Sequence, residues 1–443
     1  MDQPISSPEN IVAPVATANR IKSIDSIRGF ALLGILLMNI PGFGMNWDFW
    51  SLITHAPHKG IDFNTVTVVF VFFEGTMRGL FSMLFGAGMI LFIMNKKDIP
   101  GHTTVAEYYY RRLLWLVFFG IINAFVLLWA GDILFFYGLC GMLLFAFRKL
   151  NPKWLVVLSL VCISFGMIKS QWGYSEFSEK RHAYTEAMAL KKENKKLSSE
   201  QEASVNVWLD IEKNSKPDTA VTNNNKRKMR SGYVTIFKYF IPMNSEGETM
   251  YMYHGLWDML AMMFLGMALF GWGFFTDKLK TSTYAMWLLI GYGIGVPIGW
   301  VLFNNGWLAF ESMGAGAYID RYRSSHQVFT EFRRTLITIG HASLIMLIYR
   351  SRLVPWLMKA LANVGQMAFT NYLMQSIICT FFFYGYGFGY YDKLRFHQLY
   401  FVVAAVWVFQ IIFSAVWLTY FRFGPFEWLW RSLTYWKKQP MKK

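Results

Sequence analysis

Residues 399–420 read LYFVVAAVWVFQIIFSAVWLTY and contain no charged side chain. A helix of about 20 apolar residues crosses a hydrocarbon core of about 30 Å, so this stretch alone predicts a membrane span. Of all 443 residues, 54% are hydrophobic and only 16% are charged, whereas a soluble chain carries about 25% charged residues. The composition therefore excludes a soluble multidomain enzyme. It predicts an all-α polytopic membrane protein, because helices satisfy their own backbone hydrogen bonds in lipid.

Ten apolar runs recur along the chain and predict about ten transmembrane helices. They lie at approximately 30–45, 66–94, 113–129, 132–147, 154–169, 254–275, 284–303, 330–349, 365–385 and 399–420. The run 66–94 is too long for one straight span, so we expect a tilted helix or an interfacial helix joined to a span near Gly75–Gly79. We therefore predict ten spans, or eleven if this run contains two.

The distribution of Lys and Arg predicts which way the loops face. With ten spans and the amino terminus inside, the cytoplasmic segments hold 21 Lys or Arg, and the short outer loops hold five, or seven if Arg333 and Arg334 are included. This bias predicts cytoplasmic termini and a place in the bacterial cytoplasmic (inner) membrane. The net charge of +16 is then a topology signal with anionic lipid headgroups as its partner, and nucleic acid is not an expected partner.

A polar insert at 170–253 separates two membrane halves. It holds 13 basic and 11 acidic residues, so it does not resemble a nucleic-acid arm. The stretch from Ser175 to Lys213 mixes Glu and Lys at helical spacing, which predicts a solvated helix or helical hairpin that Lys216-Pro217 interrupts. The expected order is a cytoplasmic segment 1–26, a first membrane half 27–169, the extracytoplasmic insert 170–253, a second membrane half 254–420 and a cytoplasmic amphipathic tail 421–443.

Charged and polar side chains inside the predicted spans are candidates for function, because lipid makes them costly. Asp25 and Arg28 open the first span, where they form a functional pair or a snorkelling pair at the helix end. Glu74 and Arg78 are spaced i,i+4, so we expect them to pair with each other, as a structural clamp or in catalysis. His341 lies mid-span and is either a hydrogen-bonded packing residue or part of a proton relay.

Three further patterns predict structure rather than chemistry. Cys140, Cys162 and Cys379 fall inside predicted spans and are expected to pack there, so neither a disulfide nor a metal site is predicted. The glycine-rich aromatic run at 384–391 is expected to form a flexible outer loop. The tail has one apolar face and is expected to lie at the membrane surface, with Glu427 on its polar face.

Five sequence blocks carry a resemblance to a known family. They are Arg20–Ile40 (RIKSIDSIRGFALLGILLMNI), Leu80–Gly88 (LFSMLFGAG), Gly131–Gly138 (GDILFFYG), Gly365–Ser376 (GQMAFTNYLMQS) and Gly424–Thr434 (GPFEWLWRSLT). These blocks resemble the YeiB family of bacterial membrane proteins, which is built on a domain of unknown function (domain of unknown function 418). The resemblance runs from the first span to the tail and leaves mainly the insert uncovered.

The first 90 residues also resemble, more distantly, membrane acyltransferases of the heparan-α-glucosaminide N-acetyltransferase type. The resemblance is carried by Asp25-x-x-Arg28-Gly29, Met38-Asn39-Ile40-Pro41-Gly42, His55-Ala56 and Gly60. Members of that family pass an acyl group from cytosolic acetyl-CoA to a sugar across the membrane, and they use a histidine in the loop after the corresponding span. His55 occupies the matching place in this sequence.

This resemblance implies acyl transfer from acetyl-CoA or another acyl-CoA to a lipid or glycan acceptor. His55 would take the acceptor's proton, and Asn39 would orient the donor carbonyl or stabilise its oxyanion. Arg28, with Lys22 nearby, would bind a coenzyme A phosphate. His58 is a second candidate base, and both histidines are alternatively ordinary loop residues. A proton-coupled transporter or lipid translocator, and a membrane scaffold whose insert recruits a partner, are the rival functions.

Overall fold

The computed structural model describes residues 21–46, 55–56, 59–94, 98, 100, 102–214, 218–311, 315–321 and 325–443. In these ranges the chain is helical and forms no β-sheet, apart from one isolated bridge between Phe421 and Lys442. Each apolar run predicted as a span lies largely on helix. The predicted all-α fold is confirmed.

The described part of the first membrane half contains α1 (Lys22–Gly44), α2 (Ile61–Phe73), α3 (Thr76–Met94), α4 (Val105–Ile121), α5 (Leu134–Leu144) and α6 (Pro152–Lys192). The insert adds α7 (Ser199–Asn214) and α8 (Thr219–Met229). The rest of the chain contributes α9 (Tyr233–Gly271), α10 (Thr281–Glu311), α11 (Ala315–Arg321), α12 (Ser325–Ser351), α13 (Pro355–Gln366), α14 (Ala368–Phe383), α15 (Phe396–Tyr420) and α16 (Pro425–Tyr435).

Among the described residues, six helices are long and apolar enough to cross a membrane. They span Lys22–Gly44, Ile61–Met94, Val105–Val126, Pro152–Lys192, Thr281–Trp307 and Phe396–Tyr420. Shorter apolar helices lie at Leu134–Phe147, Gly255–Gly271 and Ala368–Phe383. The chain is therefore a multi-pass helical membrane protein, and lipid is the environment of its exposed apolar faces.

The bundle has two distinct ends. At one end, called here the tail side, α1 begins beside the turn at Phe275, since Ser23 Oγ donates to the Phe275 carbonyl at 2.7 Å. The tail helix α16 lies at the same end, where the Trp430 indole donates to the Arg112 carbonyl at 2.9 Å. The opposite end, called the insert side, is formed by α7, α8 and the loop 384–395.

The long apolar run 66–94 is broken between α2 and α3. Glu74 has extended backbone (φ −61°, ψ 116°) and Gly75 has a φ of +73°, so the helix stops there. The carbonyls left without helical partners accept hydrogen bonds from Arg333, whose guanidinium nitrogens lie 3.1 Å from the Val71 and Glu74 carbonyl oxygens. Of the two predicted alternatives, the structure contains the interrupted helix, and Arg333 supplies hydrogen bonds to the backbone at the interruption.

Close packing of α3 against α9 depends on Gly86. A Cβ atom at Gly86 would lie 2.1 Å from the Met263 carbonyl oxygen, while one at Gly88 would meet nothing within 4 Å. We expect Gly86→Ala to destabilise the protein by about 1–3 kcal/mol through overpacking, and Gly88→Ala to change stability by less than about 1 kcal/mol. Thermal unfolding of the two detergent-purified variants checks this, and equal midpoints would contradict the close packing.

Continuous helices connect the insert to both membrane halves. α6 continues from the membrane half well into the insert, and α7 packs against it, so of the two predicted alternatives the structure contains the helical hairpin. In the same way, α9 begins at Tyr233 within the insert and continues to Gly271. The boundaries expected at 169 and 253 therefore lie inside helices, and Lys216-Pro217 falls outside the described residues.

The tail helix α16 packs its apolar face on the bundle, as its amphipathic pattern predicts. Glu427, expected on the polar face, is instead buried. Its Oε1 accepts hydrogen bonds from the Phe369 and Thr370 amides at 2.7 and 3.0 Å. Glu427 therefore satisfies free N–H groups in the first turn of α14, a role that no helical wheel reveals. Burial raises the pKa of Glu427, and these hydrogen bonds reduce that rise.

Candidate functional site

A cavity of about 970 Å³ opens on the insert side, between α1, the connection 127–133, α8 and α9. We call it the insert-side cavity. Its wall mixes amide and carboxyl groups with aromatic rings, from Asn39, Asn225, Asn244, Asp132, Trp129, Tyr239, Tyr384 and Tyr391. Because α8 belongs to the insert and contributes to this wall, the insert forms part of the roof of the cavity.

Asn39, one of the two predicted catalytic residues, lines the insert-side cavity. It lies on α1 and is half-buried. Among the described residues its side-chain amide has no hydrogen-bond partner, so its donors and its acceptor remain available to a ligand. A side-chain amide whose N–H groups face a cavity can donate a hydrogen bond to an acyl oxygen as negative charge develops on that oxygen.

A second cavity, of about 210 Å³, opens on the tail side between α1, α3, α4, α14 and α16. We call it the tail-side cavity. Arg28, Arg112 and Arg431 line it together with apolar side chains, and its inner end reaches Tyr137 and Tyr372. It thus contains Arg28, which was predicted to bind a coenzyme A phosphate. Lys22, predicted beside it, is exposed and is not among the described residues that line the cavity.

A hydrogen-bonded layer separates the two cavities. Tyr137 and Tyr372 line the tail-side cavity, whereas Arg78 and Asp132 line the insert-side cavity. The Tyr137 hydroxyl donates to the Arg78 carbonyl at 3.1 Å, and the Tyr372 hydroxyl donates to Asp132 Oδ1 at 3.4 Å. The buried amide of Asn123 donates to the same carboxylate oxygen at 2.7 Å. The cavities therefore approach the same layer from opposite ends of the bundle.

His55 lies near the rim of the insert-side cavity rather than in its described wall. Its Nε2 lies 3.0 Å from Asp392 Oδ1, and Asp392 follows Tyr391, which does line the cavity. Lys226 of α8 holds the other carboxylate oxygen, with Nζ 2.6 Å from Oδ2. His58 falls outside the described residues. The structure thus brings His55 together with a carboxylate and with the roof helix.

The loop 384–395 docks against the insert and α1. The Gly385 amide donates to the Met229 carbonyl at 2.9 Å, and the Asp392 amide donates to the Gly44 carbonyl at 2.7 Å. A Cβ atom at Gly385 would lie within 2.1 Å of the backbone of the insert. The glycines of this run therefore permit close packing, and the predicted flexible loop is not what the structure contains.

Asp392→Asn is expected to loosen the roof helix α8 at neutral pH. Burial raises the pKa of Asp392, but the hydrogen bonds and positive charge of His55 and Lys226 outweigh burial and hold that pKa below its usual 3.8. A lowered carboxyl pKa stabilises the fold above the unfolded pKa, and this stabilisation is lost as the pH falls through the folded pKa. Amide hydrogen exchange in α8 should be faster in Asp392→Asn than in the wild type at pH 7. The two exchange rates should converge as the pH falls through the folded pKa of Asp392, which lies below 3.8.

The asparagine variant tests charge alone, because asparagine tolerates the left-handed backbone of Asp392 (φ 56°). Lys180→Gln is the matched control, since Lys180 pairs with Glu176 on the exposed part of the insert. If α8 exchanges at the same rate in Asp392→Asn and in the control, the charge of Asp392 does not hold the roof.

Glu74 and Arg78 do not pair with each other, so the i,i+4 prediction is wrong. Glu74 binds both Arg333 and Arg334 of α12, and Arg78 binds Asp258 of α9. The prediction assumed one continuous helix, and the break between α2 and α3 removes that geometry. These ion pairs instead join the interrupted span to two helices that are distant in sequence.

The polar groups of His341 and Asp25 have hydrogen-bond partners within the protein. The two ring nitrogens of His341 lie 2.6 Å from the Tyr292 hydroxyl and 2.9 Å from the Phe72 carbonyl oxygen, so a neutral imidazole with its proton on Nε2 makes both hydrogen bonds. Asp25 accepts from Arg28 at 3.1 Å. This geometry favours the packing interpretation of His341 and the helix-end interpretation of Asp25.

Several residues of these sites carried too weak a sequence signal to be chosen. Arg112 looked like part of the positive-inside pattern, and Asp392 lay in a segment interpreted as outer loop. Arg333 and Arg334 stand at the start of the apolar run 330–349, and this is the one signal that would have marked them as buried. The partners of all four lie far away in sequence.

The described helices define a multi-pass membrane protein with a cavity near each end of the bundle. A family model described as "Protein of unknown function (DUF418)" matches residues 269–437. The chain is 29% identical to the uncharacterised protein YxaH of Bacillus subtilis (strain 168), over 97% of this chain and 98% of that protein. It is 29% identical to the uncharacterised protein YeiB of Escherichia coli (strain K12), over 93% and 95% of the two chains.

An uncharacterised 39.9 kDa protein encoded in the amylase 3′ region of Bacillus acidopullulyticus is 26% identical over 97% of both chains. No solved structure matches the chain. The predicted resemblance is confirmed: the chain is similar to YeiB over nearly its whole length, and its residues 269–437 match the DUF418 family model.

Proposed function

We propose that the protein transfers an acyl group from a donor in the tail-side cavity, such as acetyl-CoA, to an acceptor in the insert-side cavity. The observation that carries this proposal is the meeting of the two cavities at one layer, formed by Asp132, Tyr137 and Tyr372. A reaction between ligands from opposite faces needs two separate entrances and one place where the ligands can meet. The two cavities supply the entrances, and they come closest to each other at this layer.

The proposal includes a topology. About ten helices cross the bacterial inner membrane, the tail side is cytoplasmic, and the insert lies outside. The excess of Lys and Arg in the segments assigned to the tail side supports this orientation. Acyl-CoA is a cytoplasmic metabolite class, so the donor reaches the arginine-lined cavity directly.

The proposed chemistry is nucleophilic attack by an acceptor hydroxyl or amine on the donor carbonyl carbon. The new acyl–oxygen or acyl–nitrogen bond forms, the carbon–sulfur bond breaks, and the thiolate leaves and takes up a proton. In this proposal the acyl end of the donor passes the layer of Asp132, Tyr137 and Tyr372 and enters the insert-side cavity. Asn39 would then donate to the carbonyl oxygen as it becomes negative. His55, held by Asp392 at 3.0 Å, would accept the acceptor's proton as a general base.

The insert-side cavity favours a hydroxyl-rich acceptor such as a glycan over a purely apolar one. Its wall alternates amides with aromatic rings, which suits hydrogen bonding to hydroxyl groups and stacking on sugar faces. Asn244 adds a buried side-chain oxygen that has no hydrogen-bond partner in the described part of the chain, while its Nδ2 donates to the Ala124 carbonyl at 2.6 Å. A hydroxyl of the acceptor would satisfy that oxygen.

A transporter or lipid translocator is the second candidate, and the broken span favours it. Interrupted helices with buried charges are typical of substrate or ion sites in carriers. The break between α2 and α3 carries Glu74, which binds Arg333 and Arg334. In this alternative the same two cavities would be two ends of one alternating pathway.

Inverted membrane vesicles that contain the protein separate the two functions. Acetyl-CoA labelled in the acetyl group is added outside, where the cytoplasmic face points, and label is then measured in the lipid and glycan fractions inside. We expect label with the wild type and with His182→Ala, an exposed histidine of the insert, and little label with His55→Ala. Absence of label with the wild type, together with solute uptake that requires Glu74, would establish the carrier instead.

A further inference from the structure

We infer that the tail-side cavity binds a phosphate-bearing amphiphile, with the phosphate on Arg112 and the chain in the apolar throat. The guanidinium of Arg112 lies over the Trp430 ring at 4.3 Å and over the Phe92 ring at 5.4 Å. In the described part of the chain, no carboxylate or hydrogen-bond acceptor pairs with it. A half-buried arginine held by aromatic faces keeps its N–H edge open for an anion.

The charge around Arg112 favours an anionic ligand. Arg28 and Arg431 line the same cavity, and Asp25 pairs with Arg28 at 3.1 Å, whereas none of the described carboxylates pairs with Arg112. Glu427 also lines it, but both carboxylate oxygens already accept hydrogen bonds from the first turn of α14. Guanidinium groups match phosphate oxygens with paired N–H donors, so a phosphate is the natural ligand for this cluster.

The rest of the cavity favours a chain rather than a free ion. Beyond the arginines the part of the wall that comes from α3 and α4 is mostly apolar, with Phe85, Met89, Leu113 and Leu116, and tyrosines lie at the inner end. An inorganic phosphate would leave this throat unfilled. A ligand with a phosphate at one end and an extended, weakly polar or apolar chain at the other would contact both parts.

This inference deepens the proposed function, on which it rests for the cavity's role as donor site. Two sources carry the required chemistry, namely a coenzyme A thioester and an anionic phospholipid. Binding is independent of transfer, so an equilibrium measurement tests the site even if no acyl group moves.

The test is the thermal unfolding midpoint of the full-length protein in a phosphate-free maltoside detergent. Coenzyme A, pantetheine (the same arm without phosphates) and phosphatidylglycerol are titrated separately. A ligand that binds the folded state raises the midpoint in a saturable way. We expect a saturable shift with coenzyme A, none with pantetheine, and a dissociation constant at least about tenfold weaker in Arg112→Gln.

Arg111→Gln is the matched control, because Arg111 neighbours Arg112, contacts the Thr434 carbonyl and is not among the described lining residues. Arg112→Lys keeps the charge, loses the planar fork and is expected to bind several-fold more weakly, so it tests the site if Arg112→Gln fails to fold. An Arg112-dependent shift with phosphatidylglycerol alone supports the site with a lipid as its ligand and removes the acyl-CoA donor. Equal affinities in Arg111→Gln and Arg112→Gln for both ligands overturn the inference.

Discussion

Replacing Glu74 with alanine is expected to lower the free energy of unfolding by about 3–5 kcal/mol, the usual cost of removing one partner from a buried ion pair. Glu74 is the shared partner of Arg333 and Arg334. Without it, Arg333 loses its carboxylate partner inside the bundle, while Arg334 keeps, of the described carboxylates, only Glu331, 2.5 Å away. Arg333 also supports the broken end of α2 through the Val71 carbonyl, so its displacement should loosen the break as well. The unfolding midpoint of the detergent-purified variant measures the effect.

Two controls decide whether buried charge is the cause. Glu176→Ala removes an exposed carboxylate that pairs with Lys180, and it should leave the midpoint nearly unchanged because exposed pairs contribute little. The double change Glu74→Gln with Arg334→Gln removes one charge of each sign and should recover part of the loss. If Glu74→Ala and Glu176→Ala have the same unfolding midpoint, the ion pairs between Glu74 and α12 do not stabilise the interrupted span.

Asn39→Ala is expected to reduce acyl transfer by about 10²–10³-fold, the usual cost of losing one oxyanion donor. Stability should barely change, because the Asn39 amide has no hydrogen-bond partner among the described residues and faces the insert-side cavity. The effect should fall on the rate constant rather than on acceptor binding, since the charge on the carbonyl oxygen develops only in the transition state. Labelled transfer at saturating acetyl-CoA in inverted vesicles provides the measurement.

Asn225→Ala is the matched control for Asn39, because Asn225 lines the same cavity from the roof helix α8. It should alter acceptor affinity at most, with transfer at saturation close to that of the wild type. Equal losses in the two variants would mean that Asn39 contributes polarity to the cavity and not stabilisation of an oxyanion.

Much of the fold was predictable because lipid constrains composition so strongly. Long apolar runs such as 399–420 identify helices directly, and the length of the run 66–94 indicated either a tilted helix or an interruption near Gly75–Gly79. The spacing of Glu and Lys in the insert indicated helix, as a single solvated helix or as a hairpin. In each case the signal is local, since composition and period within one segment decide its structure.

The pairing of charges was not predictable from the same patterns. The i,i+4 rule assigned Glu74 to Arg78, yet the break turns these side chains toward different helices, and Asp258 and Arg334 supply the partners. Likewise Glu427 fits an amphipathic surface helix by spacing, but its carboxylate is buried against α14. Partners that are remote in sequence leave no periodic signal in one chain, so only tertiary structure reveals them.

The candidate site was predictable in part. The resemblance directed attention to Asn39 and Arg28, which line the two cavities. It did not indicate Asp392 or Arg112, since neither belongs to the resembling segment. Both act through neighbours that folding brings together, namely His55 and Lys226 for the first and the aromatic ring of Trp430 for the second.

The most direct test of the account is whether the two cavities open to opposite faces of the membrane. Thr222→Cys would place a thiol in the insert-side cavity and Gln366→Cys one in the tail-side cavity, in a background whose native Cys140, Cys162 and Cys379 are buried. A membrane-impermeant maleimide should label Thr222→Cys in intact cells and Gln366→Cys only in inverted vesicles, where coenzyme A should protect it. Labelling of both thiols from the same face would contradict transfer between opposite faces.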